Sequence, residues 1–458
     1  MPILPIDTGR YGTLDMKRIF EEENRLQRML DVEAALAWAH SEVENIPRKD
    51  AEKIVQMASV RYVKLGRVKE IEREIKHDVM ALVRALAEVC GSSGTYVHLG
   101  ATSSDILDTA SALQLKEVTE LIMQRLNELE RTLLEGAEKY KKTIMIGRTH
   151  GQHALPTTLG FKLALWMRQH SRNIQRFCQC SERLLVGKMS GAVGTQAGLG
   201  PNAVRIQELV MKRLGIKPAE ISSQIVPRDL YGELVCLLAV IASTLDNIAT
   251  EIRELQRTEI GELFEPFEKE RQVGSSTMPH KRNPELCERI CGLAKIMRGL
   301  VVPALENIPT WHERDLTQSS SERFILPEAC ILTDYMLFLM TKVLKNLEVD
   351  EKRMLRNLGL TQARMMSEAV MLALVSKGVG RQEAYELVRG LAIKSETKKS
   401  FFKEILLKND VVGSTLSEIE LDKALNPKNY IGTAVEQVEL AIKKTCQERK
   451  VRGLVESY

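Results

Sequence analysis

Three short segments of the 458-residue chain gather residues that could bind an anion or transfer a proton. They are HLGATSSD at 98–105, GRTHGQH at 147–153 and RQVGSSTMPHKRNPE at 271–285. Small, polar and glycine residues interrupt helical patterns at each place, so each segment is predicted to be a loop or a helix end. Loops on a rigid scaffold often carry binding groups, although any one such segment is as often a solvated turn.

The segment at 271–285 has the most unusual composition. Ser275 and Ser276 lie in a hydroxyl-rich stretch, and Lys281 and Asn283 follow at the start of a predicted helix. Asn283 is expected to cap that helix and Pro284 to begin it. Free backbone N–H groups at a helix start, together with a lysine, suit a carboxylate. A linker with solvated basic residues explains the same sequence equally well.

A histidine and a pair of arginines are further candidates for chemistry. His150 has a hydroxyl neighbour, Thr149, and could transfer a proton, although a lone histidine is more often structural. Arg314 and Arg323 lie nine residues apart with three serines between them, a pattern suited to phosphate or a dicarboxylate. The acidic residues around these arginines are also typical of a solvated helix start.

The elements that must position these segments are helices. Apolar residues recur at helical spacing through Leu234, Ile241, Ile248 and Leu255, and similar patterns begin at Leu115 and after Pro284. Alternating strand patterns are scarce, so the fold class is predicted to be all-α. Long helices should pack as a bundle over 102–350, between a mostly helical N-terminal domain at 1–101 and a helical C-terminal domain at 351–458.

Composition excludes several classes of protein. Lys and Arg total 65 against 61 Asp and Glu, and a net charge of +4 over this length does not indicate a nucleic-acid surface. No apolar run reaches the length of a membrane span, and the N-terminus lacks the pattern of a signal peptide, so a cytoplasmic protein is expected. The eight cysteines and eight histidines form no metal-ligand pattern, and free thiols are predicted.

The stretch GSSTMPHKRNPE resembles the signature of the fumarase and aspartase superfamily, whose members eliminate fumarate or a related acid through a carbanion. The resemblance extends along nearly the whole chain. It narrows to the branch acting on succinylated purine nucleotides through RYG at 10–12, KHDV at 76–79, HLGATSSDILDTA, GRTHGQHALPTT and WHERDLTQSSSER. It implies a three-domain fold with a long central helical bundle, no metal or organic cofactor, and a homotetramer whose active sites are shared between subunits.

The resemblance also implies roles for individual residues. Ser275 becomes the general base, His150 the general acid and Glu288 the carboxylate that orients His150, while Lys281 stabilises the intermediate; His77 is also expected in the catalytic set. The substrate-binding set that it implies is Arg10, Tyr11, Lys76, His77, Asp78, Thr102, Ser103, Thr149, Gln224, Ser276, Lys281, Asn283, Arg314, Ser319 and Arg323. The choice of Ser275 over its neighbour Ser276 rests wholly on the resemblance.

Two alternatives stay open at this stage. A 3-carboxy-cis,cis-muconate cycloisomerase-like enzyme would carry HLGATSSDILDTA and GSSTMPHKRNP almost as well, although His150 and the WHERD stretch argue against it. A non-enzymatic role, as in a lens crystallin or a helical interaction scaffold, is the other. A scaffold has little reason to carry all of these segments.

Overall fold

The computed structural model describes residues 4–268 and 271–454, and nearly all of its regular structure is helical. The α-helices are α1 (Leu14–Phe20), α2 (Glu22–Glu42), α3 (Arg48–Met57), α4 (Leu65–Ile75), α5 (Asp78–Cys90), α6 (Ser103–Lys139), α7 (Leu159–Leu184), α8 (Ala203–Leu214), α9 (Asp229–Gln256), α10 (Glu285–Gly299), α11 (Val301–Glu306), α12 (Thr317–Lys345), α13 (Glu351–Gly359), α14 (Ser367–Ser376), α15 (Arg381–Lys398), α16 (Phe402–Leu407), α17 (Asp410–Thr415), α18 (Glu418–Leu425) and α19 (Ala434–Val451). The all-α prediction is confirmed.

The strands are short and pair two by two. They are β1 (Ile144–Thr149), β2 (Gln152–Thr158), β3 (Val186–Gly187), β4 (Lys217–Pro218), β5 (Leu263–Phe264) and β6 (Glu348–Val349). β1 and β2 form an antiparallel hairpin with a register shift between Ile146 and Arg148, β3 pairs in parallel with β4, and β5 is antiparallel to β6. The segment at 147–153, predicted as a loop or helix end, is therefore the tip of a β-hairpin.

The long helices confirm the predicted periodicity. Leu234, Ile241, Ile248 and Leu255 are all buried on α9, and the apolar series on α6 that begins at Leu115 is buried as well. α9 and α12 are long and apolar enough to cross a membrane, but 56% and 67% of their most apolar windows are buried inside the protein. More than half of each window is therefore covered by the rest of the protein, as in a core helix.

The chain divides into two compact units, each assembled from three segments. Unit 1 consists of Met1–Asn127, Asn173–Leu245 and Gly292–Phe338. One apolar core of this unit joins α2, α3, α4, α5 and α8, where Leu30, Leu36, Leu82 and Ile206 are buried. The helices pack because each presents one apolar face.

Unit 2 consists of Glu128–Arg172, Asp246–Cys291 and Leu339–Tyr458. Its C-terminal core joins α14, α15, α16 and α18 around Phe402, Leu374 and Val388. β1 contributes Ile146 to this core, so the hairpin rests on it. The three-domain division at residues 101 and 350 stays a prediction.

Candidate active site

In unit 1, the RYG motif is fixed against α12. A Cβ at position 12 would lie only 2.7 Å from Cγ2 of Ile331. Glycine therefore allows the backbone to approach the helix this closely. Thr13 caps α1 through Met16 N and its hydroxyl donates to Asp334 of α12. These contacts hold Arg10 and Tyr11 beside the helix that carries Ser319 and Arg323.

The KHDV motif forms the junction between α4 and α5. Lys76 ends α4 in the left-handed conformation, and Nδ1 of His77 accepts a hydrogen bond from Met80 N at the start of α5. Because Nδ1 is the acceptor, a neutral His77 carries its proton on Nε2. Asp78 pairs with Nη2 of Arg323 at 3.0 Å. KHDV is thereby joined to the WHERDLTQSSSER segment.

Buried Asp105 organises the loop at 98–105. It accepts hydrogen bonds from the backbone N–H groups of Thr102, Ser190 and Gly191 and forms an ion pair with Lys188, which is also fully buried. A carboxylate that receives several donors fixes the loop backbone strongly. Thr102 and Ser103, at the start of α6, are therefore held in one position.

Two histidines anchor the same loop. Nδ1 of His98 lies 2.6 Å from Glu33, and although burial lowers the pKa of His98, the ion pair with Glu33 outweighs burial and raises it above its ordinary value. His40 bonds to the carbonyl of Leu99 and to Asn45, and burial lowers its pKa. His98 therefore favours its charged form and His40 its neutral form.

A buried ion network lies behind Arg314. Arg228 makes a bidentate contact with Asp108 at 2.9 and 3.0 Å and a further contact with Glu322 at 2.7 Å. Nη1 of Arg314 donates to Oε1 of Gln224 at 3.1 Å, while its Nε is buried without a partner among the described residues. The ion network supports the α12 segment from which Ser319 and Arg323 project.

The ion network, Arg314, Ser319 and Arg323 line a cavity of about 180 Å³ that lies within unit 1. Its polar lining combines four arginines with two acids and several neutral groups. The polar lining residues are Arg25, Ser104, Asp108, Ser111, Gln114, Arg228, Arg314, Gln318, Ser319, Glu322 and Arg323. A cavity with this excess of guanidinium groups suits an anionic ligand.

In unit 2, His150 occupies the tip of the β1–β2 hairpin. Thr149 pairs with Gln152, and the two residues between them, His150 and Gly151, have φ angles of 53° and 73°. Two consecutive positive φ angles are typical of the type I′ turn that joins two strands directly. The turn exposes the His150 side chain.

The base of that hairpin is held by a buried ion pair. Nη1 and Nη2 of Arg148 each donate a hydrogen bond of 2.8 Å to the carboxylate of Glu262, and Asn357 donates to the same carboxylate at 2.7 Å. Burial, reinforced by Arg148, lowers the pKa of His153 on β2. The fixed hairpin presents His150 in a definite direction.

The loop at 271–283 directs two of its own backbone N–H groups at the Ser275 hydroxyl. Its Oγ accepts hydrogen bonds from the backbone N–H groups of Thr277 at 3.3 Å and Met278 at 3.1 Å. The hydroxyl of Ser276 instead lies 3.4 Å from that of Thr277. Donors directed at an oxygen favour its anionic form, and here they are directed at Ser275.

The two ends of this loop meet closely. Nδ2 of Asn283 donates to the carbonyl of Gly274 at 2.8 Å, and a Cβ on Gly274 would lie 1.9 Å from the carbonyl oxygen of Lys281. Asn283 therefore closes the loop and does not cap α10 as predicted. Lys281 remains exposed beside the closure.

The start of α10 is already occupied by a carboxylate of the protein. Buried Glu265 accepts hydrogen bonds from Leu286 N and Cys287 N, each at 3.0 Å, and burial raises the pKa of this acid. The prediction that these helix-start N–H groups are free for a substrate carboxylate is therefore wrong. Glu288, one turn into α10, is exposed.

The predicted site residues thus fall into two groups. Unit 1 carries Arg10, Tyr11, Lys76, His77, Asp78, Thr102, Ser103, Gln224, Arg314, Ser319 and Arg323. Within this group, Asp78 contacts Arg323 and Gln224 contacts Arg314. Unit 2 carries Thr149, His150, Ser275, Ser276, Lys281, Asn283 and Glu288. Among the residues that the structure describes, no hydrogen bond joins His150 to Ser275 or Glu288 within one chain, and their roles stay predictions.

Sequence reasoning missed several residues of this region. Asp108 and Arg228 pair across 120 positions of the chain, and Glu265 caps a helix 20 positions later, so no local pattern indicates either contact. Arg25 lies in the charged stretch EEENRLQR, which reads as a solvated helix face. The helical phase of Asp105 and Asp108 was the available signal, because they lie on the same face as the apolar residues of α6.

The chain resembles known lyases over its full length. A family model described as "Lyase" matches residues 9–299, and one described as "Adenylosuccinate lyase C-terminus" matches residues 364–441. An adenylosuccinate lyase from Pyrococcus abyssi is 54% identical, with 99% of this chain and 100% of the relative aligned. One from Methanocaldococcus jannaschii is 49% identical over 98% of this chain and 97% of the relative.

Solved structures agree with this fold. The 3-carboxy-cis,cis-muconate lactonizing enzyme from Pseudomonas putida has a TM-score of 0.89 at 33% identity, covering 96% of this chain and 99% of its own. That identity is well below the values for the adenylosuccinate lyases, so the cycloisomerase alternative has the weaker support. The chain therefore belongs to the adenylosuccinate lyase family, within the fumarase and aspartase superfamily of enzymes.

Proposed function

We propose that this protein eliminates fumarate from adenylosuccinate to give AMP, and from the succinylated imidazole nucleotide SAICAR to give AICAR. The observation that carries the mechanism is the pair of backbone N–H groups directed at Ser275 Oγ. Serine is a weak base in water, and donors to its oxygen stabilise the alkoxide that a base must become. Ser276 has no equivalent pair of donors in the described part of the chain.

The elimination then proceeds in two steps. Ser275 as alkoxide removes the Cβ proton of the succinyl group, and the electron pair moves into the adjacent carboxylate as an aci-carboxylate. Lys281 stabilises that added charge, and the second amide proton of Asn283 is available to a carboxylate oxygen. The C–N bond breaks as the electrons form the fumarate double bond, and His150, oriented by Glu288, protonates the departing nitrogen.

The binding roles follow the two groups of residues. We assign the nucleotide to Arg10, Tyr11, Arg314, Ser319 and Arg323, with Lys76, His77 and Asp78 beside the phosphate and the acid. The succinyl group is assigned to Thr102, Ser103, Thr149, Gln224 and Ser276. Arginines that already line a cavity support a phosphate-bearing substrate.

We further propose a cytoplasmic homotetramer whose active sites take residues from several subunits. Support comes from the exposed His150 turn and from large apolar side chains left exposed on unit 1: Val302, Leu305, Ile308, Trp311, Leu316 and Phe324. Trp311 is 79% exposed, and patches of this kind on a soluble protein mark surfaces that another chain covers.

The direct test is incubation of the purified protein with adenylosuccinate. Fumarate and AMP should appear in equal amounts, Ser275→Ala should release both far more slowly, and 3-carboxy-cis,cis-muconate should give no lactone. A wild-type protein that leaves adenylosuccinate intact would refute the activity and favour a structural, crystallin-like role.

Sharing of sites has its own test. Inactive His150→Ala and Ser275→Ala proteins are mixed under conditions that exchange subunits, and partial activity should return if the two residues of one site come from different chains. Absence of recovery after exchange has been verified by mass spectrometry would contradict sharing, whatever the activity of the wild type.

A further inference from the structure

Arg25, on α2, points to a binding contact that the family motifs do not include. It lines the unit 1 cavity together with Arg314, Ser319 and Arg323. Its guanidinium is partly buried and makes no hydrogen bond or ion pair with any residue that the structure describes. Burial, reinforced by the positive charge of Arg323, lowers the pKa of Arg25.

The acids near Arg25 have other partners or stand apart from it. Asp78 bonds to Arg323, and Glu22 bonds to Lys69 at the surface. Asp78, Glu22 and Glu72 attract Arg25 electrostatically and oppose the lowering of its pKa, but none of them forms an ion pair with it among the described residues. Arg25 thus keeps a positive charge in a partly dry place without a carboxylate in contact, which costs free energy unless a ligand compensates.

The other charged groups around the cavity do not compensate the positive charge of Arg25. Arg228 is neutralised by Asp108 and Glu322, and Arg323 by Asp78. Arg314 bonds only to the neutral Gln224, and its Nε is buried without a partner among the described residues. Two guanidinium groups, those of Arg25 and Arg314, therefore face one cavity without an ion pair to any acid in the described part of the chain.

We propose that Arg25 is a further substrate-binding residue, which donates hydrogen bonds to the phosphate of the nucleotide within this cavity. The inference rests on the proposed function, because the phosphate belongs to its substrates. A phosphate monoester carries close to two negative charges and accepts bidentate contacts from guanidinium groups. Arg25 and Arg314 would supply the two cations that such a dianion needs.

The competing explanation is that Arg25 only supports the Asp78–Arg323 pair. A phosphate contact would strengthen the binding of AMP but not of adenosine, whereas a supporting role would affect both ligands alike. The informative quantity is therefore the ratio of the dissociation constants of adenosine and AMP, measured by calorimetry. The variants are Arg25→Gln, Arg25→Lys and, as a matched control one turn along α2, Arg28→Gln. Arg28 pairs with Asp31 and Glu117 and does not line the cavity.

Arg25→Gln should weaken AMP binding about 10- to 100-fold, the loss expected for a charged hydrogen bond, and leave adenosine binding unchanged. Arg25→Lys keeps the charge but loses the planar guanidinium group, so its affinity for AMP should lie between those of the wild type and Arg25→Gln. The KM for adenylosuccinate should rise in parallel, with kcat at saturation unchanged, and Arg28→Gln should alter none of these values.

Equal weakening of AMP and adenosine, or unaltered AMP binding, in whichever Arg25 variant folds would overturn the inference. Inorganic phosphate serves as a probe that does not depend on turnover: it should bind the wild type and Arg28→Gln, and Arg25→Gln more weakly. A wild type that releases no fumarate would refute the proposed function. If the wild type is active but Arg25→Gln binds phosphate as tightly as the wild type does, only the assignment of Arg25 is refuted.

Discussion

The cavity region of unit 1 and the loop at 271–283 of unit 2 hold polar side chains in opposite ways. Around the cavity, Asp108 and Arg228 are about 5% exposed and make a bidentate ion pair. In the loop, Ser276 and Lys281 are exposed, and the Ser275 hydroxyl accepts hydrogen bonds from its own backbone neighbours. The cavity region is fixed by buried charges, whereas the loop is fixed by the hydrogen bond between its ends and by a partly exposed ion pair of Arg282 with Glu348.

This difference separates positioning from chemistry. A substrate held by several arginines needs those groups in place before it arrives, because ordering them later would cost affinity. A loop with few buried apolar contacts opens at low free-energy cost and can close over a bound substrate. We therefore expect changes around the cavity to alter stability and binding, and changes in the loop to alter turnover.

Exchanging the serines of the loop tests this comparison with the largest effect. Ser275→Ala should lower kcat by about 100- to 10,000-fold and leave the dissociation constant of adenylosuccinate nearly unchanged, because it removes the proton acceptor but little binding surface. Ser276→Ala is the matched control and should retain most of the turnover. Near-normal fumarate release by Ser275→Ala, with loss in Ser276→Ala, would show that the base is Ser276.

Breaking the buried ion network should act on stability. Asp108→Asn removes one charge from a buried pair and should lower the free energy of unfolding by about 3–5 kcal/mol. In contrast, Glu117→Gln, in the partly exposed pair with Arg28, should cost at most about 1 kcal/mol. Chemical denaturation at fixed protein concentration measures both, and equal costs would mean that burial of the network adds nothing.

The sequence predicted the helical framework because it is encoded locally. Leu234, Ile241 and Ile248 recur at the helical period, and the structure buries all three. The hairpin at 144–158 was not anticipated, because its turn residues, His150 and Gly151, look like a simple break between helices. Asn283 was misjudged since a helix-start asparagine normally caps, whereas here Glu265 supplies that contact from a distant segment.

The site was predictable only as far as residue types and resemblance reach. Asp105 lies in a recognised motif, but its pairing with Lys188 joins positions 83 residues apart and needs the fold. Arg25 was overlooked because a charge in EEENRLQR reads as solvated, and burial of its guanidinium depends on α12 and α4–α5. Charges that acquire meaning through tertiary contacts have no local signal.

A glycine-to-alanine substitution can be made both in the loop, at Gly274, and in unit 1, at Gly100, to compare the two regions. At Gly274 a Cβ would meet the Lys281 carbonyl, and at Gly100, where φ is 72°, it would lie 2.5 Å from the Gly198 carbonyl. Gly100→Ala should lower stability by about 1–3 kcal/mol. Gly274→Ala should mainly reduce kcat, because the loop can distort without disturbing the core. A larger loss of melting temperature in Gly274→Ala than in Gly100→Ala would contradict the distinction.

The smallest expected effect is the pH dependence contributed by His98. The ion pair with Glu33 raises the pKa of His98 against the opposing effect of burial, so its stabilising contribution is complete below the ordinary value of about 6.5 and is lost as pH rises through the raised value. Asparagine tolerates the left-handed φ of 64° at this position, and His98→Asn should therefore cost more free energy of unfolding at pH 6 than at pH 8.5. His40, whose pKa is lowered by burial, contributes with the opposite sign, because its stabilisation is lost as pH falls below about 6.5. Both the wild type and His98→Asn contain His40, so its contribution cancels when the two proteins are compared at the same pH. A pH-independent cost for His98→Asn would mean that the Glu33 contact does not hold a proton on His98.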